Sequence, residues 1–238
     1  MSGTSPTATS SATAGPASSR SSSPHPIARR GAPAALVVGS LLAAAGMALH
    51  LPAMAEDVGL TIAIAEAPTR WLASHLLLGF GFAIVAVGAA GLLHALRRDR
   101  GATLTAMGAI AMTLGAITMA VGDIAHGAVG FALTEVDPAT SFEIHGAYFE
   151  HPAILAVNTG PMLVSVGMFL VGGGLLRSRA LPRWLGIVVL LTPIGVNLGF
   201  NLGLPPFAPG IPFAVGTIAL AIALTRMLQA TAPASRPA

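Results

Sequence analysis

Six apolar stretches, each near the roughly 20 residues that cross a bilayer as a helix, divide this chain at about 35–54, 71–95, 103–131, 153–176, 184–203 and 210–228. Asp, Glu, Lys and Arg together supply only 9% of its 238 residues. A water-soluble domain carries about 25%. So few charges cannot cover a solvated surface, which excludes a soluble enzyme and a nucleic-acid binder. The fold expected is all-α: a polytopic membrane bundle of six transmembrane helices, with the lipid bilayer as its first partner.

Charge sets the expected orientation. Arg97, Arg98 and Arg100 lie between spans two and three, Arg177, Arg179 and Arg183 between spans four and five, and Arg226 and Arg236 near the end. The alternate segments hold Glu56, Asp57, Glu66, Glu135, Asp137, Glu143 and Glu150, with Arg70 the lone cation among them. Arginine-rich loops stay in the cytoplasm, so both termini are expected inside. Residues 1–31, rich in Ser, Thr, Ala, Pro and Gly, read as a disordered cytoplasmic tail. Residues 32–229 form the membrane domain and 230–238 a short cytoplasmic tail. A competing reading takes Ala53-Met54-Ala55 as a signal-peptidase site. Cleavage there leaves five spans and the rest of the topology unchanged.

The chain has no Cys, so disulfides, thiolate metal sites and a cysteine nucleophile are excluded. All twelve basic residues are Arg.

Helical spacing sorts the polar residues. In span three, Gly101, Gly108, Gly115 and Gly122 recur every seven residues, with Met112, Met119 and His126 between them. That spacing is one seam of a left-handed helix packing, and small residues let backbones approach where lipid gives no hydrophobic drive. Gly39, Ala43, Gly46 and His50 form a similar stripe in span one. Asn197 and Asn201 follow Pro193 on one face of span five. His75 to Leu93 and Asn158 to Leu176 share a spacing of small and apolar residues, which fits either related second and fourth spans or coincidence in a chain rich in Ala, Gly and Leu.

Most of these polar groups fall in the outer halves of their spans. Ionisable groups inside a membrane are costly and point to function. The expectation is an outward-facing pocket lined by His50, His75, Asp123, His126, Asn158, Asn197 and Asn201, with His151 as its lid. Imidazole is the commonest metal ligand, so His50, His75, His126 and His151 are candidate ligands for zinc or haem. No H-E-x-x-H or C-x-x-C-H motif accompanies them. Hydrogen bonding between helices is the plainer reading of the histidines and asparagines. His145 and His151, near Phe142, Tyr148 and Phe149, read as an interfacial loop.

Leu181-Pro182-Arg183-Trp184-Leu185-Gly186, opening a late span after a basic loop, resembles a motif of uncharacterised multi-pass membrane proteins of actinobacteria. The resemblance implies a bacterial cytoplasmic membrane and brings no catalytic residues with it. Four functions fit these features: an integral membrane protein of unassigned activity with an outward-facing polar pocket, a metal- or haem-bearing membrane enzyme or redox protein acting at the outer face, a small-solute or ion transporter, and a non-catalytic subunit of a membrane complex. A membrane-protein partner or a homo-oligomer is compatible with each.

Overall fold

The computed structural model describes residues 26–51, 58–95, 101–178 and 181–230. Among these residues there are helices and no strands: α1 (Pro26–Leu49), α2 (Val58–Glu66), α3 (Pro68–Ala95), α4 (Ala102–Ala132), α5 (Pro138–Glu150), α6 (Pro152–Val157), α7 (Gly160–Arg177), α8 (Arg183–Asn201) and α9 (Gly210–Ala230), with a 3₁₀ turn at Leu133–Glu135. Six segments are long and apolar enough to cross a membrane. Most of the expected tail and the Ala53–Ala55 site lie outside the described residues, as do Arg97, Arg98 and Arg100. Helix α1 already begins at Pro26, inside the stretch expected as tail.

The six long helices form a closed ring in chain order. Each packs on the next, α1 on α3, α3 on α4, α4 on α7, α7 on α8 and α8 on α9, and α9 returns to α1. One end of the ring carries Arg177, Arg183 and Arg226 and is called the arginine end. The other is covered by α2, the 3₁₀ turn, α5 and α6, and is called the cap end.

Glycine decides how tightly the ring closes. The heptad glycines of α4 meet a second heptad series on the antiparallel α7, at Gly160, Gly167 and Gly174. A Cβ at Gly108 would stand 2.6 Å from the Gly167 carbonyl oxygen, and one at Gly115 would stand 2.7 Å from that of Gly160. Such distances hold the two backbones in direct contact. Gly39 and Gly81 do the same between α1 and α3, where a Cβ on Gly39 would lie 2.6 Å from the Gly81 oxygen. The expected seams of spans one and three are therefore packing seams.

The inside of the ring differs between its two ends. At the arginine end Leu36, Leu92, Ala109, Leu175, Leu185 and Leu224 are all buried and fill the axis. Near the cap end the axis is hollow.

Two elements depart from the sequence reading. The fourth span is not continuous. It breaks at Asn158 and Thr159 into α6 and α7. Pro161 has no N–H for the helical ladder, and its ring crowds the preceding turn. Thr159 Oγ1 instead donates to the Ala156 carbonyl at 2.7 Å. The stretch read as an interfacial loop holds a 13-residue helix, α5. Asp137 caps it by accepting the Thr140 N–H at 3.1 Å, and Pro138 sits in its first turn, where no N–H is needed. Hydrogen bonds from the Thr140 side chain and backbone lower the Asp137 pKa.

Candidate functional site

The site is built where α1, α3 and α4 reach the cap. Helix α4 has 31 residues, about 46 Å at 1.5 Å per residue, which exceeds the roughly 30 Å of a hydrocarbon core. The excess carries its last turns up to α5. Two of those turns are bare: a Cβ at Gly127 would strike the His75 side chain, and one at Gly130 would strike the Trp71 indole nitrogen. These glycines let His75 and Trp71 of α3 press against α4.

Four imidazoles follow one another there. The ring centroids of His50 and His75 are 5.0 Å apart, those of His75 and His126 are 4.9 Å apart, and those of His126 and His145 are 5.1 Å apart. Trp71 packs beside the file, 4.1 Å from His75 between ring centroids. His75 is 1% exposed. The file links α1, α3 and α4 to the cap helix α5.

Hydrogen bonds fix part of its chemistry. His50 Nδ1 lies 2.7 Å from the Leu51 carbonyl oxygen, and His75 Nδ1 lies 2.9 Å from that of Trp71. A carbonyl only accepts, so each Nδ1 is the protonated nitrogen. In the neutral ring each Nε2 then carries the lone pair. His126 Nε2 and His145 Nε2 are 3.0 Å apart, so one donates and the other accepts. Burial lowers the His145 pKa below its ordinary value. It raises that of Tyr148, one turn further along the same cap helix.

Below the file lies the hollow of the ring. A cavity of about 510 Å³ is lined by His50 and Asp123 at its polar end and by Met47, Phe82, Met119 and Phe200 along its walls. A second, of about 470 Å³, shares those four apolar residues and reaches Asn158 and Asn197. The two read as one chamber along the ring axis. A small side cavity of about 80 Å³ joins Asp123, His126, Tyr148 and Asn158 beneath the cap. Asp123 Oδ2 is buried and has no hydrogen-bond partner among the described residues.

The residues singled out from the sequence thus divide. His50, Asp123, Asn158 and Asn197 line the chamber, and His126 lines its side cavity. His75 stands behind it, in the file. The Asn197 and Asn201 side chains each donate to a carbonyl one turn back on α8, Pro193 at 2.7 Å and Asn197 at 2.8 Å. They therefore bond within one helix and do not join two. His151 is exposed and stands apart, its Nδ1 accepting the Ala153 N–H at 3.3 Å to cap α6. The fourth imidazole of the file is His145. Trp71 and the joining of His145 to His126 escaped the sequence reading. The Gly127 and Gly130 gaps in α4 were the signal that something large packs there.

Among the described residues, no three His, Asp or Glu side chains converge on a point that would hold a metal ion. Compared with known protein families, with curated protein sequences and with solved structures, the chain matches none.

Proposed function

We propose that this is an integral membrane protein of a bacterial cytoplasmic membrane that binds a small molecule in a blind chamber opening toward the outer face. Both termini lie in the cytoplasm in this reading, in keeping with the arginines at one end and the acidic residues at the other. The carrying observation is the asymmetry of the ring axis, solid with leucine at the arginine end and hollow at the cap end. A through-going transporter needs a second opening, and the packed leucine layer stands where it would be. A binding role, in a lone protein or in a subunit of a larger complex, needs only the cap end.

The test uses the absence of native cysteine. Met119→Cys and Asn197→Cys should react with a membrane-impermeant maleimide added outside intact cells. Val189→Cys, at the filled end, should react from neither side. Labelling of Met119→Cys only from the cytoplasm would reverse the orientation. No labelling of either chamber position would remove the chamber.

One observation favours a metal- or haem-bearing protein as the second reading: the close approach of His126 Nε2 to His145 Nε2. The pinned Nδ1 atoms of His50 and His75 are also the arrangement that orients a ligating imidazole. Against it, the four rings run in file and do not surround one point.

A further inference from the structure

We infer that the chamber takes a hydrophobic organic ammonium ion carrying an N–H, with its charged end seated on Asp123. This rests on the chamber reading above and names its ligand class.

Among the described residues Asp123 Oδ2 is buried without a partner, and its carboxyl borders both the chamber and the side cavity. A carboxyl group so placed in a membrane bundle is costly unless something donates to it. Among the described residues, none supplies a cation to it. The sequence has no Lys. Arg70, the described arginine at the cap end, is turned elsewhere, with Nε donating to the Leu49 carbonyl at 2.8 Å. Arg177, Arg183 and Arg226 stand at the opposite end of the ring. His50, which shares the cavity, spends its Nδ1–H on Leu51 and offers an acceptor on the other nitrogen.

The walls set the rest of the ligand. Met47, Phe82, Met119 and Phe200 present thioethers and aromatic rings. These are polarizable surfaces that accept an apolar body, and aromatic faces attract a cation. A volume of about 510 Å³ falls within the roughly 300–1,000 Å³ of small-molecule sites. An anionic ligand would meet Asp123 with repulsion and find no counter-charge. An ammonium N–H supplies both the charge and the donor that Asp123 Oδ2 lacks, and a second N–H can reach a histidine lone pair.

The experiment separates charge from hydrogen bonding. The full chain in neutral detergent is titrated by calorimetry at pH 7.5 with 4-phenylbutylamine, its N-trimethylammonium analogue and 4-phenylbutanol. The amine should bind at least tenfold tighter than the alcohol, with the analogue between them. Asp123→Asn should bring amine and alcohol to within about twofold, while Asp123→Glu keeps the preference and guards against a fold effect. Met119→Trp, which fills the chamber, should abolish all three. Equal binding of amine and alcohol, or an amine preference that survives Asp123→Asn, overturns the cation inference and leaves the chamber reading intact if Met119→Trp still blocks. Binding that ignores Met119→Trp, or no binding by any probe, removes both.

Discussion

His126 on a membrane-spanning helix and His145 on a cap helix meet through their Nε2 atoms at 3.0 Å, a side-chain link between bundle and cap. It joins residues 19 apart in the chain. It also works only while one of the two nitrogens keeps its lone pair.

That condition gives the link a pH dependence. Two protonated imidazoles would point N–H at N–H. Other groups facing the pair are His75 and Trp71 from α3 and Tyr148 and Phe149 from α5. None of these rings is a carboxylate; the Asp123 carboxyl shares the side cavity with His126, but its Oδ2 bonds to neither imidazole. The lowered pKa of His145 means that the unfolded chain binds a proton before the folded one does. The contribution is therefore fully present above about pH 6.5, the unfolded value, and is lost as pH falls below it. Thermal melting in detergent from pH 8 to 5 should show a falling midpoint below pH 6.5. His145→Gln, which keeps a donor and an acceptor without titrating, should flatten that slope. An unchanged slope would place the pH dependence elsewhere.

Contact between α4 and α7 predicts a contrast between two glycines. Gly108→Ala forces a Cβ against the Gly167 backbone and should cost about 1–3 kcal/mol, the usual penalty of overpacking. Gly173→Ala, with nothing within 4 Å of its Cβ, should be neutral or slightly stabilising. Unfolding in mixed micelles reads both. Equal effects would mean that the two helices do not touch through their glycines.

Trp71 is buried, and its Nε1–H has no partner among the described residues. Removing an unsatisfied donor recovers part of a desolvation penalty of about 1–3 kcal/mol. Trp71→Phe should therefore cost little, within about 1 kcal/mol of the parent, while Trp71→Ala opens a cavity and should cost about 3–5 kcal/mol. If the Phe variant is as damaged as the Ala variant, the indole N–H has a partner after all, and a bound ligand becomes the first suspect.

Metal analysis tests the second functional reading directly. With the imidazoles in file, protein purified in mild detergent should hold well under one zinc or iron per chain and show no Soret band. About one metal per chain, lost in both His126→Ala and His145→Ala, would mean that the file folds inward around an ion.

The sequence carried the architecture because membrane helices announce themselves locally, through twenty-residue apolar runs and small-residue spacing. Gly108 and Gly115 could be read as a seam from their period alone. The chamber was only half legible. Asp123, His50 and His126 stood out because polar groups are rare in such helices, and depth placed them near one another. His145 could not be assigned, because nothing in a 20-residue connection says which of its side chains folds back onto the bundle. Asn201 and His151 looked equivalent to the lining residues by type. Both are exposed and line none of the cavities described, although Asn197, which bonds to backbone as Asn201 does, lines the chamber; such placements depend on where a helix starts and stops. Trp71 gave no signal of its own, since an aromatic at a span boundary is the ordinary membrane pattern.

The ring runs in chain order, so nearly every helix touches the neighbour made just before it. Packing can then proceed as the spans emerge, each new helix closing on the last with little loop entropy to overcome. The pairing of α9 with α1 is the exception. It is the longest-range contact in the bundle, and until it forms the sequence Met47, Phe82, Met119, Phe200 lines a trough open to lipid. In that order of packing the chamber closes only when α9 meets α1.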